Sequence, residues 1–171
     1  MLAAGLRQAA SAEDCAAARA LFLEYARSLA VDLCFQGFDH ELATLPGAYA
    51  PPRGRLLLAG AAGDEYGCIA LRSIDREESS DVGDLYSREP IAIGEIKRLY
   101  VKPGRRQEGW GRRLAEAAIA EARAIGYVEL KLDTFDWMVD ARKLYAGLGF
   151  RECAPYYANP FSGAIYMSCA L

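Results

Sequence analysis

Residues 105–126 read RRQEGWGRRLAEAAIAEARAIG. The stretch sets Arg105, Arg106, Arg112 and Arg113 around Gly109 and Gly111, then becomes an alanine-rich segment that stops at Gly126. A helix is expected over residues 109–125, with the terminal glycine supplying its left-handed stop. Just upstream, residues 91–101 have the composition of a strand. Strand, glycine loop and helix in that order leave unpaired N–H groups at the positive end of a helix dipole, where a phosphate is readily held. Glycine at 109 and 111 lets the backbone approach a bulky anion, and the arginines add charge around it. Positive charge is therefore gathered where a pyrophosphate would sit, in a chain whose net charge is −3.

Outward from this stretch, the apolar spacing of residues 12–30 predicts an amphipathic helix, with Ser11 available as its cap. A short helix is expected at 39–45, before Pro46 and Gly47. Residues 55–61 and 66–72 read as a hairpin. The acidic, turn-rich segment 75–90, DREESSDVGDLYSREP from Asp75, reads as an exposed loop. Downstream lie a strand at 128–133, a helix at 138–147, a strand around 150–153 and a last strand at 164–171. Hairpins in the first half and helix–strand alternation in the second predict an α/β (α+β) domain with a mixed sheet flanked by helices. At 171 residues, one domain over 1–171 is expected.

Bulk properties narrow the function. With 53% hydrophobic and 25% charged residues, the composition is that of an ordinary globular protein. A mildly acidic chain with one short arginine cluster is a poor nucleic-acid binder. The N-terminal residues lack the pattern of a secretory signal, and no apolar run approaches the length of a membrane span. Five cysteines, scattered singly, suit reduced thiols in a cytoplasm. Without a CxxC pair and with one histidine, His40, no metal site is expected.

Three phosphate-binding patterns compete for the loop. The GxxxxGK[ST] of a P-loop is absent. A dinucleotide fold matches in part, through Gly109, Gly111 and Asp133, but Leu114 stands at the third glycine and seven residues separate Val101 from Gly109. The third pattern fits better. Arg106, Gln107, Glu108, Gly109, Trp110 and Gly111 resemble the R/Q-x-x-G-x-G/A loop of the GNAT superfamily of N-acetyltransferases. The preceding GEIKRLYVKP is similar to that family's central strand, and LYAGLGFRE at 144–152 to its later helix-to-strand segment. Three segments in order over roughly residues 94–153 are more specific than any one of them. The sequence departs from the family in three places: Gln107 stands where glycine is frequent, Glu108 brings an acid into an anion-binding loop, and Met138 occupies a position where asparagine is common.

The resemblance implies a single-domain GNAT-like fold with a mostly antiparallel mixed sheet, acetyl-CoA as cosubstrate, and no metal. Arg106, Gln107, Glu108, Gly109, Trp110, Gly111 and Arg112 would hold its pyrophosphate. Leu99, Tyr100 and Val101 would pair through their backbone with its pantetheine arm, as in strand addition. Glu95 is the expected general base for the amine, and Tyr145, five residues before Phe150, the expected acid for the departing thiolate. Each has a plainer alternative: a glutamate at a strand edge, a tyrosine in the core. Phe35, Asp39, Lys97, Tyr156 and Tyr157 are candidates for an acceptor pocket or, equally, packing and turn residues.

The expected enzyme transfers an acetyl group directly, in a ternary complex, to a primary amine of a small molecule or amino acid. A protein or peptide N-acetyltransferase and a non-catalytic acyl-CoA-binding module are the rivals. The expected partner is a small-molecule amine, with no nucleic acid or membrane, and a homodimer is compatible with the sequence.

Overall fold

A computed structural model of the chain describes residues 2–29, 31–33, 37–74 and 92–171. Phe35 and the expected exposed loop at 75–90 lie outside the described residues.

In chain order the elements are β1 (Leu6–Gln8), α1 (Ala12–Leu29), α2 (Phe38–Thr44), β2 (Arg55–Ala61), β3 (Asp64–Ile74), β4 (Ile93–Val101), α3 (Trp110–Ile125), β5 (Glu129–Phe135), α4 (Val139–Ala146), β6 (Arg151–Glu152) and β7 (Ala164–Ala170). They build one sheet in the order β1-β2-β3-β4-β5-β7-β6. Every pairing is antiparallel except that of β4 with β5. The sheet is mixed and mostly antiparallel, as expected. β1 was not apparent in the sequence, because three residues are too short to show an alternation; pairing with β2 creates it.

Each helix forms for local reasons. Ser11 Oγ accepts the Asp14 N–H at 3.1 Å, while the Asp14 carboxylate accepts the N–H groups of Ser11 and Ala10 at 3.1 and 2.9 Å, a reciprocal cap on α1. α3 ends at Gly126, whose φ of 99° and bonds back to Ala122 and Arg123 make a left-handed stop. Its buried stripe, Leu114, Ala115, Ala118, Ile119 and Ala122, packs on one sheet face with Leu57, Ile69, Leu71, Ile96 and Leu130. α1 packs Ala18, Leu21 and Phe22 on the other with Leu56, Leu58, Cys68 and Ala70.

One departure from regularity positions the site. The parallel pairing of β4 with β5 lasts only from Ile93↔Glu129 to Glu95↔Lys131. Opposite β3, the register slips between Cys68 and Ala70, and Arg98 adopts φ 58°. An extra residue inserted into a strand bends it and strengthens its twist. Beyond Glu95, β4 runs on to Val101 with no strand among the described residues paired on its β5 side.

Candidate active site

Two adjoining cavities occupy this gap. A groove of about 430 Å³ is bounded by Leu99, Tyr100, Val101 and Arg106 on the β4 side and by Trp137, Met138, Val139 and Asp140 at the start of α4. A smaller cavity of about 50 Å³ lies between the strands, among Lys97, Arg98, Asp133, Thr134 and Tyr145. Tyr25, Leu29, Leu99, Met138 and Ala141 line both, so the two meet.

Arg106, at the head of the arginine–glycine loop, lines the groove. No protein acceptor among the described residues takes the N–H groups of Gln107, Glu108, Gly109, Trp110, Gly111 or Arg112, whereas the Arg113 N–H is bonded to Gly109. Six successive free donors at the start of a helix suit a pyrophosphate. Gln107 has φ 66° and Gly109 φ 81°. The first value accounts for a glycine preference at 107, since a left-handed conformation strains a side-chain-bearing residue.

The arginines divide their work. Arg105 stacks over the Tyr66 ring at 4.6 Å and Arg113 over the Trp110 ring at 4.7 Å. Tyr66 and Trp110 meet edge to face at 5.0 Å, so these two arginines brace the loop. Arg106 lines the groove and donates Nε to the Val101 carbonyl at 3.0 Å; Arg112 is exposed, paired only with Glu116 at 3.4 Å. Glu108 accepts the Trp110 indole N–H at 3.1 Å and meets Arg105 at 3.4 Å. Its charge is thereby partly neutralised within the loop.

The inner site is a buried chain of polar groups. Glu95 is 1% exposed, and both its oxygens are engaged: Oε2 takes Arg72 Nε at 2.7 Å, while Oε1 accepts the Tyr156 hydroxyl at 2.8 Å and faces Lys97 Nζ at 3.2 Å. Lys97 continues to Asp133 Oδ1 at 2.7 Å, and Asp133 Oδ2 accepts the Tyr157 hydroxyl at 2.8 Å. Arg98 donates Nε and a terminal nitrogen to Glu41 at 2.9 and 2.6 Å, and Glu41 also accepts the Tyr49 hydroxyl. Burial works to raise the Asp133 carboxyl, but the Lys97 ammonium and the Tyr157 hydroxyl outweigh it and hold the carboxyl below its usual range.

Tyr145 is buried, edge-on to Phe150 at 5.5 Å. Its hydroxyl has no hydrogen-bond partner among the described residues, and burial pushes it above the usual phenol range. Lys97, Tyr156 and Tyr157 share one hydrogen-bond network; Lys97 lines the inner cavity, while Tyr156 and Tyr157 line neither cavity. Two of the expected residues lie apart from the cavities. Glu95 lines neither, and its oxygens are held by Arg72, Lys97 and Tyr156. Asp39 is exposed on α2 and lines neither cavity; Glu41, two residues on, is the acid that points inward. Tyr25, Asp133 and Arg98 line the inner cavity and carry little local signature. The one available clue was the broken alternation at Lys97 and Arg98 in EIKRLY.

Among the described residues no group of three or more His, Cys, Asp or Glu side chains could hold a metal, and no helix is long and apolar enough to cross a membrane.

Comparison with known proteins gives the same picture. A family model described as an acetyltransferase (GNAT) domain matches residues 52–152. An uncharacterised N-acetyltransferase of Schizosaccharomyces pombe is 34% identical over 148 residues, covering 86% of this chain and 82% of that one. An acetyltransferase structure from Streptococcus agalactiae superposes with a TM-score of 0.73 over 99% of this chain and all of that one, at 17% identity. A putative acetyltransferase from Salmonella typhimurium, solved with acetyl-CoA, gives 0.65 at 20% identity over 96% and 92% of the two chains. With the family's domain spanning more than half of its length and a relative above 30% identity across most of both sequences, this chain belongs to the GNAT family of acetyltransferases.

Proposed function

We propose that the protein moves an acetyl group from acetyl-CoA to a primary amine of a small molecule or amino acid, by direct transfer in a ternary complex. The observation that carries this reading is the continuity of the two cavities, from Arg106, which directly precedes six free N–H groups at the start of α3, to Tyr145 between β4 and β5. The N–H groups, with Arg106 and Arg112, would hold the pyrophosphate. The unpaired edge of β4 at Leu99, Tyr100 and Val101 would hold the pantetheine arm by strand addition. An inner cavity of about 50 Å³, walled by charged and hydroxyl groups, supports a small acceptor over a peptide. The sheet draws strands from Leu6 to Ala170, which supports one domain over 1–171, working in the cytoplasm.

In this reading a neutral amine attacks the thioester carbonyl, and the departing thiolate takes the Tyr145 proton. A phenol, at about 10, is a weaker acid than a thiol, at about 8.5, and burial weakens Tyr145 further, so its proton passes to sulfur only in concert with its replacement from the substituted ammonium. The substituted ammonium returns a proton to Tyr145, which leaves amide, free thiol and an unchanged enzyme. Glu95 supports the site from outside, fixing Lys97 and Tyr156 rather than taking the proton itself.

Thiol release from acetyl-CoA, measured with a panel of amines, amino acids and peptides, tests the reading. Turnover with small amines and none with peptides is expected. Turnover with peptides alone would reassign the acceptor, and binding of acetyl-CoA without turnover would leave a binding module.

A further inference from the structure

The buried and half-buried tyrosines around the site are nearly all hydrogen-bonded. Tyr49 donates to Glu41, Tyr100 to Glu24, Tyr156 to Glu95, Tyr157 to Asp133 and Tyr166 to the Tyr157 carbonyl. Tyr25 and Tyr145 are different: neither hydroxyl has a hydrogen-bond partner among the described residues, and both side chains line the inner cavity. Tyr25 also lines the outer groove, so it stands where the two cavities join. In the proposed function this junction is where the thioester must lie, with its arm along β4 and its acyl group toward Tyr145.

We propose that Tyr25 is a second hydroxyl at the reaction centre, donating a hydrogen bond to the thioester carbonyl oxygen as that oxygen gains negative charge. The inference rests on the acetyl-transfer reading given above. When the amine nitrogen bonds to the carbonyl carbon, the C=O π pair moves to oxygen. When the C–S bond breaks, its pair leaves with sulfur, the oxygen pair re-forms the carbonyl, and Tyr145 supplies the proton that sulfur needs. Tyr25 exchanges no proton in either step and keeps its own throughout. Burial pushes its hydroxyl up to about 12, partly offset by the Arg98 guanidinium, so it is a neutral donor across the working pH range. A fixed donor aimed at developing charge stabilises the transition state more than the ground state. The position is held by packing: the ring of Tyr25, on α1, meets that of Tyr100 edge to face at 6.2 Å, and no described residue accepts or donates a hydrogen bond at its oxygen.

The test compares Tyr25→Phe with Tyr145→Phe in the full chain, using acetyl-CoA and an acetyl thioester of a more acidic thiol. Tyr25→Phe should keep acetyl-CoA affinity and amine KM while kcat falls about 10²-fold, as for loss of one oxyanion donor. That loss should be the same with both thioesters, whereas the Tyr145→Phe loss should shrink with the better leaving group. An unchanged kcat, a defect confined to KM, or a Tyr25→Phe loss that shrinks in parallel with that of Tyr145→Phe overturns the proposal. If Tyr25→Phe does not fold, 3-fluorotyrosine at position 25 decides: a more acidic donor should change kcat while leaving KM alone, and no change overturns it. Absence of turnover by the parent enzyme with every amine would instead refute the acetyl-transfer reading itself.

Discussion

The Tyr156 hydroxyl donates to Oε1 of Glu95 at 2.8 Å, closing the last open side of a carboxylate already held by Arg72 and Lys97. Four polar contacts on a side chain that is 1% exposed make it an anchor for its neighbours. Removing the charge leaves the buried Lys97 and the partly exposed Arg72 short of a partner. Glu95→Gln is therefore expected to lower stability by about 3 kcal/mol, at the low end for a broken buried pair because Asp133 still serves Lys97. The pH profile of its remaining activity should overlay that of the parent. A denaturant titration and a pH–rate curve check the two halves, and recovery of activity at high pH would restore Glu95 as the base.

Tyr145→Phe keeps the edge-on contact with Phe150 and removes only an oxygen that has no partner among the described residues. Melting temperature and acetyl-CoA affinity should hold, while turnover falls by about 10²- to 10⁴-fold, the range for loss of a general acid. Steady-state kinetics with calorimetry of cofactor binding separates this from a packing defect.

Gly111 and Arg112 should fail in different ways. A Cβ at Gly111 would find only Leu144 Cδ2, at an ordinary 3.7 Å, so Gly111→Val should fold normally and yet lose CoA binding by intruding on the anion's approach. Arg112→Ala should weaken binding through charge alone, with the deficit shrinking as salt rises. Calorimetry of CoA binding at two ionic strengths distinguishes them, and unchanged affinity in Gly111→Val would remove the loop from the cofactor site.

Gln107 carries a left-handed backbone that costs a non-glycine residue about 1–2 kcal/mol. Gln107→Gly relieves that strain but gives the unfolded chain more freedom, so a net gain of up to about 1 kcal/mol is expected. A thermal melt reads the sign directly.

The cap on α1 has a pH signature. The Asp14 carboxyl is held down to about 2, first by the Ala10 N–H and then by the Ser11 N–H and the Arg7 guanidinium, against the opposing effect of burial. A carboxyl depressed on folding stabilises the native state above its unfolded pKa of about 3.9, and that contribution disappears as pH falls toward the folded value. Asp14→Ala should cost about 1 kcal/mol at neutral pH, and the difference from the parent should shrink steadily as pH falls from about 4 toward 2. Denaturant melts at pH 7, 4 and 2.5 follow the convergence.

Short-range chemistry is what the sequence determined by itself. The Gly126 stop, the Ser11 cap, the stripe from Leu114 to Ala122 and the apolar run of β2 are properties of neighbours along the chain, and each element they predict is present within a few residues of its expected bounds. The arginine–glycine loop was legible for the same reason, since its donors are consecutive. The inner site was decided only by tertiary structure. A bulge at Arg98, produced by a register slip against β3, ends the pairing of β4 with β5 and opens the cavity between them. Only then does Tyr25 come from α1 to stand beside Tyr145 of α4, and Asp133 of β5 to take Lys97 from β4. Such contacts join residues 36 to 120 positions apart, as the separations of Lys97 from Asp133 and of Tyr25 from Tyr145 show. No local periodicity encodes them, because they depend on how strands are registered and where that registration fails.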